Sequence, residues 1–399
     1  MLYNRKVSFA KGFKHCTFAF GMGVFSMENI RMAAPCLLGL EGLVAEELRR
    51  MDMKNVQPEN GRIIFEGDYS SIARANICSR YSERILILLN TFVAYSFEDL
   101  FRGVLEIPWE NWLERDSAFP VKGRSLDSKL KSIPDCQKII KKAAVERMKR
   151  HYREDWFKET GTVHQIQFLI IKDKVSIMLD TSGTGLHKRG YRKNSMEAPI
   201  KETLAAAMAD LSHVRSNSQV IDPFCGSGTI LIEAAMKAMK IAPGLRRRFA
   251  AEHWQCIPNA VWSEERLHAQ SLIDKTAEFQ AYGYDISQET LKLAQENAKK
   301  AGVGSRLHLA QRDIEDFSED LERATIICNP PYGERLLDVE QSRRLYKIMG
   351  GKFEKRDGYS YTIISPDERF EEIFGRKADK RRKLYNGMIK CQVYMYFKR

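Results

Sequence analysis

Strands and helices alternate through the second half of this 399-residue chain, and no other feature of the sequence restricts the fold as strongly. Apolar strands are predicted near 219–224, 281–287, 305–313 and 324–333, beside helical segments of about a dozen residues. This alternation predicts an α/β fold with a parallel, doubly wound sheet. The C-terminal segment differs, because its Asn386-Gly387 turn lies between alternating apolar residues and predicts an antiparallel hairpin at the sheet edge.

The first half of the chain has the pattern of a smaller α+β unit. A strand is predicted at 61–67, and two further strands at 164–173 and 174–183 are predicted to pair as a hairpin. Residues 183–194 are rich in glycine and basic side chains and show no periodicity. They therefore predict a domain boundary near residue 185.

The composition is that of a globular protein with an excess of basic residues. Lysine and arginine number 64 against 52 acidic residues, a net charge of +12, and 44% of the residues are hydrophobic. This composition excludes disordered and fibrous classes, and the charge favours a polyanionic partner, most simply nucleic acid. Ribosomal, DNA-binding and membrane-surface proteins share such a charge, so it does not choose among them.

The apolar stretches, the N-terminal segment and the cysteines indicate in which compartment the protein resides and whether it binds a metal. No apolar stretch reaches the roughly 20 residues that a membrane-spanning helix needs. Residues 16–27 follow several basic side chains as in a signal peptide, but without its small-residue cleavage site, so we expect residues 1–31 to be a leader outside the folded pattern. The eight cysteines have neither C-x-x-C nor zinc-ligand spacing, which predicts buried thiols in a reducing compartment and no metal site.

A glycine-rich turn follows the first strand of the second half. Residues 222–229 read Asp-Pro-Phe-Cys-Gly-Ser-Gly-Thr and open the next helix. Ligands bind at the carboxyl ends of strands in open parallel sheets, where glycines allow the backbone close to them. Asp222 could orient the turn or accept a hydrogen bond from an ammonium group. The turn has neither the Gly-Lys-Ser/Thr ending of a phosphate loop nor the G-x-G-x-x-G spacing.

Acidic residues also end the next two predicted strands. Asp285 stands where a carboxylate could accept hydrogen bonds from two vicinal ribose hydroxyls, although a role at the start of the next helix is the alternative. Asp313 and Ile314 offer an acceptor for an exocyclic amine and an apolar surface for a purine. Three acidic strand ends in register after a glycine-rich turn are difficult to explain by packing alone.

The fourth strand ends in Asn329-Pro330-Pro331-Tyr332. The Asn329 side-chain carbonyl and the Pro330 backbone carbonyl, held extended by the di-proline, form two acceptors for one amino group. Tyr332 could stack on the planar ring that carries this amine. Two such acceptors suit methylation of a conjugated amine, because they favour the geometry in which its lone pair becomes available.

These four motifs, in this order, resemble class I S-adenosylmethionine-dependent methyltransferases that modify amines. The segment 186–207 and the N-terminal half are similar to one branch, the THUMP-domain RNA guanine-N2-methyltransferases that modify large-subunit ribosomal RNA. The resemblance covers residues 32–399 and implies a Rossmann-like seven-stranded methyltransferase domain, mostly parallel with an antiparallel edge hairpin, after a ferredoxin-like and THUMP RNA-binding region. The implied domains are 32–70 (ferredoxin-like), 71–183 (THUMP-like) and 184–399 (methyltransferase), and we expect the chain to end after this single catalytic domain.

The resemblance also implies roles for residues that match the motifs. The target guanine would be held by Asn329, Pro330, Pro331 and Tyr332. The cofactor, S-adenosyl-L-methionine, would be bound by Thr203, Asp222, Phe224, Cys225, Gly226, Ser227, Gly228, Thr229, Asp285, Ile286, Asp313 and Ile314. No protein nucleophile is required, since the sulfonium carries its own leaving group.

Basic side chains of the N-terminal half and the linker are the candidates for RNA binding. The principal ones are Lys122, Arg124, Lys129, Lys138, Lys141, Lys142, Lys188, Arg189 and Arg192. Further candidates are Lys131, Lys149, Arg150, Lys193, Arg246, Arg247, Arg248 and the run 376–383. Charge runs are commonly solvated surfaces, and only the resemblance to an RNA-binding module favours a binding role here.

The resulting expectation is a cytoplasmic enzyme that methylates the N2 amine of a guanosine in 23S ribosomal RNA. Three alternatives stay open at this point: the same chemistry on transfer RNA, N6-adenine methylation of DNA, and a non-enzymatic RNA-binding factor of ribosome assembly. The N-terminal module argues against DNA, and the intact Asp285, Asp313 and Asn329 argue against a protein without activity.

Overall fold

A computed structural model describes residues 29–192, 200–318, 321–332, 338–387 and 389–397. It contains two seven-stranded sheets, one in each half of the chain. The elements of the N-terminal half are β1 (Ile30–Pro35), α1 (Glu41–Arg50), β2 (Lys54–Glu59), β3 (Arg62–Gly67), α2 (Tyr69–Cys78), β4 (Leu86–Val93), α3 (Phe97–Leu105), β5 (Val121–Leu126), α4 (Ile133–Tyr152), β6 (Ile166–Ile171) and β7 (Lys174–Asp180).

The N-terminal sheet has the strand order β2-β3-β1-β4-β7-β6-β5. It runs without interruption through the regions expected to be ferredoxin-like and THUMP-like, because β4 pairs with β1 on one side and with β7 on the other. The predicted hairpin is confirmed as β6 and β7, which pair from Ile171 and Lys174 outward. Long-range pairing of β4 therefore joins the two regions into one sheet.

The C-terminal half contains the alternating elements that the sequence predicts. They are α5 (Glu202–Leu211), β8 (Gln219–Asp222), α6 (Thr229–Ala238), α7 (Asn259–Ser271), β9 (Gln280–Asp285), α8 (Gln288–Ala301), β10 (Leu307–Gln311), β11 (Ala324–Cys328), α9 (Val339–Lys352), β12 (Tyr359–Ser365), α10 (Phe370–Phe374), β13 (Lys380–Asn386) and β14 (Ile389–Tyr396). None of the helices in the described ranges is long and apolar enough to cross a bilayer.

The C-terminal sheet has the order β10-β9-β8-β11-β12-β14-β13. Its first five strands are parallel, and β14 pairs antiparallel with both β12 and β13. This arrangement confirms the predicted seven-stranded fold with an antiparallel edge hairpin. After β8, the chain adds β9 and β10 on one side of it and then places β11 on the other side. Where the strand order reverses in this way, a crevice is expected at the carboxyl ends of the strands.

The two halves share one hydrophobic core, which extends from Met32 in β1 to Met395 in β14. At the junction, the Arg74 guanidinium on α2 donates to both carboxylate oxygens of Glu265 on α7, at 2.9 and 2.7 Å. Glu83 reaches the catalytic half, where it lies 3.1 Å from Lys201 Nζ. Burial alone would raise the pKa of Glu83, but the neighbouring His187 and Lys201 lower it to about 2. The N-terminal module is therefore held in a defined orientation to the catalytic sheet.

Candidate cofactor and substrate site

A cavity of about 560 Å³ lies at the carboxyl ends of β8, β9, β10 and β11. It is lined by residues of all four sequence motifs, among them Asp222, Asp285, Asp313 and Asn329. A larger cavity of about 750 Å³ lies at the opposite edge of the sheet, where β8 and β11 begin. Since ligands of open parallel sheets bind at the carboxyl edge, the first cavity is the candidate site.

The glycine-rich turn has backbone angles that favour glycine at two positions. Gly226 and Gly228 have φ values of +50° and +79°, a region that side chains disfavour. A Cβ at Gly228 would lie 3.1 Å from the Cβ of Ala294 on α8, whereas one at Gly226 would meet open space. Gly226 thus brings bare backbone to the cavity, while Gly228 allows α6 to start close to α8.

Asp222 is 1% exposed, and its carboxylate accepts a hydrogen bond from the Phe224 N–H at 3.0 Å. Burial raises the pKa of Asp222 to about 8, with a smaller contribution from the charge of Asp285. A buried carboxylate without a cation is unfavourable. The cavity therefore suits a ligand that brings a positive charge to Asp222.

Asp285 connects the end of β9 to the glycine-rich turn. Its Oδ2 accepts from the Gly226 N–H at 3.1 Å and its Oδ1 from the Ser287 N–H at 2.9 Å. Ser287, and not Asp285, is the side chain that starts α8, because its hydroxyl accepts from the Thr290 N–H. Each Asp285 oxygen keeps lone-pair capacity for vicinal hydroxyls of a ligand in the cavity.

Apolar and charged side chains form the wall around the end of β10. Ile314 is buried, Ile286 is 68% exposed, and both line the cavity. The Asp313 carboxylate accepts a hydrogen bond from the Glu315 N–H at 2.9 Å and so caps a short 3₁₀ turn. Arg312 lies with its guanidinium 4.1 Å from the ring centroid of Tyr284. This wall can hold a planar base between aliphatic side chains with an acceptor at its edge.

Asn329 and Pro331 line the cavity at the end of β11. Asn329 Oδ1 is buried and accepts no hydrogen bond from any described residue. A buried, unsatisfied carbonyl oxygen is costly unless a ligand supplies a donor. The Asn329 oxygen can therefore accept a hydrogen bond from a ligand in the cavity, whereas Pro330 is not among the residues that line it.

Tyr332 is not among the cavity-lining residues. Its hydroxyl accepts from Asn386 Nδ2 at 2.8 Å and lies 3.7 Å from Cys391 Sγ, both on the C-terminal hairpin. Burial raises the pKa of Tyr332 far above its ordinary value. The hairpin thus fixes the position of Tyr332, a role for Asn386 and Cys391 that the sequence motifs did not reveal.

Thr203, which the resemblance implied to be a cofactor-binding residue, is not among the residues that line the cavity. It is fully buried, and its hydroxyl donates to Glu83 Oε1 at 2.8 Å. The neighbouring Ile200 lines the cavity in its place. The partner of Thr203 is 120 residues distant in sequence, which is why no local motif indicated this contact.

The structure also corrects three of the predicted RNA-binding residues. Arg189 is 5% exposed, donates to the carbonyls of Leu186 and Arg80, and lies 3.5 Å from Glu233. Arg192 donates to the Ile200 carbonyl and to the Thr229 hydroxyl, and so stabilises the glycine-rich turn. Lys141 is 2.5 Å from Glu159, and burial lowers its pKa. All three cations are thus bound to groups of the protein itself, Arg189 in the interior and Arg192 and Lys141 at partly exposed positions.

The other basic candidates lie in different places. Lys122 and Arg124 are exposed on β5, Lys129 is exposed near Tyr95, and Lys188 is exposed in the linker. Lys138 and Lys142 are exposed on α4. Arg247 is buried, and its guanidinium donates to the backbone carbonyls of residues 184–186. Lys193 lies outside the described residues. The predicted basic track is therefore divided between separate surfaces.

Comparison with protein families gives three matches along the chain. A family described as RMKL-like, methyltransferase domain, matches residues 189–395. The RlmL ferredoxin-like domain matches 31–86, and the THUMP domain matches 94–180.

Similar whole proteins fall into the same group. A Bacillus subtilis (strain 168) protein named as the RNA methyltransferase YpsC is 41% identical, over 93% of this chain and 97% of its own length. The ribosomal RNA large subunit methyltransferase K/L of Psychromonas ingrahamii is 34% identical over 91% of this chain. This chain spans 49% of that relative, or about half of its length.

Two solved structures are similar to the whole fold. One is described as an N6-adenine-specific DNA methylase from Listeria monocytogenes, with a TM-score of 0.88 and 41% identity, covering 94% of this chain and 97% of that one. The other is SMU.472, named as a methyltransferase and complexed with SAH, with a TM-score of 0.88 and 38% identity, covering 93% of this chain and 99% of that one.

Proposed function

Because this chain belongs to the RMKL-like methyltransferase family, we propose that it methylates the exocyclic N2 amine of a guanosine in 23S ribosomal RNA. The observation that carries the proposal is the buried, unsatisfied Asn329 Oδ1, in a cavity that also holds three acidic strand ends. The THUMP match and the relatives named as ribosomal RNA methyltransferases support RNA as the substrate.

S-adenosyl-L-methionine is the cofactor of this methyltransferase, and SMU.472 was solved with its demethylated product, SAH. The residues of the cavity fit it, because Asp222 is a buried carboxylate in need of a cation and Gly226 presents bare backbone. We assign the methionine part to the turn 222–229, the ribose to Asp285, and the adenine to Asp313, Ile314 and Ile286. When bound, the cofactor supplies a methyl group on a sulfonium, a built-in leaving group.

The protein residues would align the amine. The N2 amino group of guanine would donate one hydrogen bond to Asn329 Oδ1 and one to the Pro330 carbonyl. These two hydrogen bonds would favour a pyramidal nitrogen, whose lone pair is no longer conjugated with the ring. Tyr332, fixed by Asn386, would act on the base only through the position of the preceding Asn329-Pro330-Pro331 segment, because its ring does not line the cavity. No protein nucleophile takes part in this alignment, and the rate comes from orientation and from the two fixed acceptors.

Asp222 is expected to lose its proton when the cofactor binds. Because burial raises the pKa of Asp222 to about 8, the carboxyl group of the free protein is mostly protonated at pH 7. A cationic ligand favours the carboxylate, so the affinity should rise with pH up to about 8 and then level off. Calorimetry in buffers of different ionisation enthalpy should count nearly one released proton per bound ligand. Asp222→Asn should abolish this release, and an equal release from both proteins would contradict the assignment.

Two other substrates remain as competing candidates. The Asn-Pro-Pro-Tyr motif also suits the N6 amine of adenine, and the Listeria structure is described as a DNA methylase. The THUMP match fits transfer RNA as well as ribosomal RNA. We favour ribosomal RNA because relatives similar over 91% or more of this chain are named for it.

Nucleoside analysis after methylation in vitro tests the proposal. Purified protein and S-adenosyl-L-methionine with a deuterated methyl group are incubated separately with protein-free 23S ribosomal RNA, transfer RNA and duplex DNA. Mass spectrometry should detect deuterated N2-methylguanosine in the 23S reaction alone. The same product in transfer RNA, or N6-methyladenine in DNA, would replace the proposed substrate. If wild-type protein binds SAH and modifies none of the three, the enzymatic proposal fails.

The proposal extends to domains and compartment. We propose a division into a ferredoxin-like unit at 32–70, a THUMP-like unit at 71–183 and the methyltransferase domain at 184–399. A substrate in ribosomal RNA favours the cytoplasm. Seven cysteines in the described ranges are free thiols, as a reducing compartment would allow.

A further inference from the structure

The N-terminal sheet packs its helices against one of its two faces. The large core cluster contains alternate strand residues, such as Phe168 and Ile177, together with residues of α1 to α4. The opposite face has a separate small cluster, formed by Ala33, Ile64, Leu86, Leu88 and Met178 with Leu169, and all of these residues lie on strands. The five strand residues of this cluster are themselves buried. We call the exposed remainder of this surface, on β5, β6, β7 and the end of β4, the open face of the sheet.

On the open face, cross-strand partners form rows across β5, β6, β7 and β4. The outermost row is Leu126, Ile171, Lys174 and Val93, which are register partners in that order. Leu126, Ile171 and Val93 are 55%, 41% and 55% exposed. Paired residues of neighbouring strands lie side by side on one face. This row is therefore a continuous strip of exposed aliphatic side chains with one lysine in it.

The next two rows bring arginine and lysine to the same face. Arg124 is the register partner of Leu169, and Lys122 is the partner of Gln167. Lys129, beyond the end of β5, has its Nζ 4.7 Å from the ring centroid of Tyr95, which is 58% exposed. The surface thus combines an aliphatic strip, an exposed tyrosine ring and a border of cations.

The charges of this border are available to a ligand. Lys122, Arg124 and Lys174 are exposed and form no ion pair with other described residues. Asp127 and Asp173 are close to these cations in the chain. Asp180 lies on the same face, where its carboxylate is paired with Arg84 and accepts from the side chain of Gln167, the register partner of Lys122, at 2.9 Å. The Asp173 carboxylate already accepts from the Lys129 N–H at 2.7 Å and the Ser128 hydroxyl at 2.8 Å. Cations therefore outnumber acids on this surface.

On the helical side of the same module, most cations are close to acidic side chains. On α4, Lys138 lies 3.9 Å from Asp135, and Lys149 lies 3.6 Å from Glu146. Arg147 of α4 is paired with Glu110, which lies in the short 3₁₀ turn after α3. These contacts offset much of the positive charge of α4, so the basic run of this helix is a poorer match for a polyanion than the open face.

We propose that the open face around Lys122, Arg124 and Lys174 binds the RNA substrate, with phosphates on the cations and sugars or unpaired bases against Leu126, Ile171 and Val93. The proposal rests on RNA being the substrate, and it assigns the surface that recruits it. Phosphate contacts supply affinity without sequence preference, and apolar contacts to exposed bases suit single-stranded segments. The shared core and the Arg74–Glu265 contact then present the captured RNA to the catalytic half in a fixed geometry.

An alternative use of these lysines is protection of the sheet edge. β5 is the last strand of the sheet, and charged side chains on edge strands prevent pairing with other chains. Such a role predicts self-association when the charges are removed, without any change in RNA affinity. The experiment below separates the two roles.

Binding of protein-free 23S ribosomal RNA is measured as a function of salt for two matched triple variants. The first carries Lys122→Gln, Arg124→Gln and Lys174→Gln on the open face, and the second carries Lys138→Gln, Lys142→Gln and Arg150→Gln on α4. Both lose the same charge from exposed positions. The open-face variant should bind at least about tenfold more weakly at 0.1 M salt, with a salt slope lower by about two to three, while the α4 variant stays within about twofold. SAH affinity should be unchanged in both, which verifies the fold.

A third variant addresses the aliphatic strip. Leu126→Ser with Ile171→Ser changes exposed side chains and should reduce RNA affinity several-fold at an unchanged salt slope. Loss of affinity in the α4 variant instead would overturn the open-face assignment and leave the RNA substrate standing. Wild-type affinity with self-association of the open-face variant, seen by light scattering, would support edge protection and overturn it too. Absence of RNA binding by the wild-type protein would count against the proposed function itself.

Discussion

Replacement of Asn329 by alanine should reduce methyl transfer roughly 10²- to 10³-fold, the usual loss when a fixed hydrogen-bonding group at a reacting centre is removed. Asn329 Oδ1 is buried at the end of β11 and accepts no hydrogen bond from any described residue, so it is free for the amine of the substrate. The cofactor contacts proposed above belong to β8, β9 and β10. SAH affinity of Asn329→Ala should therefore remain within about twofold of wild type.

Single-turnover methylation of 23S ribosomal RNA, with calorimetric SAH binding on the same preparation, tests this separation. Asn259→Ala is a matched control, because Asn259 is exposed at the start of α7, and it should leave both quantities unchanged. Near wild-type turnover of Asn329→Ala would remove Asn329 from the reaction. An equal loss of SAH affinity would instead make Asn329 part of the cofactor site.

The position of the site could be predicted from the sequence because parallel strands bring their carboxyl ends to one edge of a sheet. Successive motifs, at Asp222, Asp285, Asp313 and Asn329, are separated by 63, 28 and 16 residues, yet all line one cavity. Strand and helix periodicity likewise predicted the parallel order and the edge hairpin of β13 and β14. In each case a local pattern and a general rule of sheet geometry were sufficient.

The errors concern side chains whose partners are distant in sequence. Arg189 and Lys141 lie in basic runs, and only the fold shows that Glu233 and Glu159 lie beside them. Thr203 contacts Glu83, and the Tyr332 hydroxyl accepts from Asn386. Since a charge run has the same sequence whether it faces solvent or a buried carboxylate, composition could not separate these cases. The continuity of the N-terminal sheet also depends on the long-range pairing of β4 with β7.

Replacement of Asp285 by alanine should weaken cofactor binding by about 1.5 to 3 kcal/mol, the range for a lost hydrogen bond to a charged group. This corresponds to roughly a 10- to 150-fold rise in the Kd for SAH measured by calorimetry. Asp316→Ala is the matched control, because Asp316 is exposed and does not line the cavity. An unchanged Kd for Asp285→Ala would contradict the assignment of the ribose to this carboxylate.

A weaker Kd alone would not separate a contact with the ribose from an effect on the turn, because Asp285 also accepts from the Gly226 and Ser287 N–H groups. An SAH analogue without the two ribose hydroxyls resolves this. Wild-type protein should bind the analogue more weakly than SAH, whereas Asp285→Ala should bind the two ligands almost equally. The reason is that the variant and the analogue each remove the same interaction, one by deleting the carboxylate and the other by deleting the hydroxyls. If the analogue loses as much affinity in the variant as in the wild type, Asp285 acts only by holding the turn at Gly226, and the ribose must be bound by other groups.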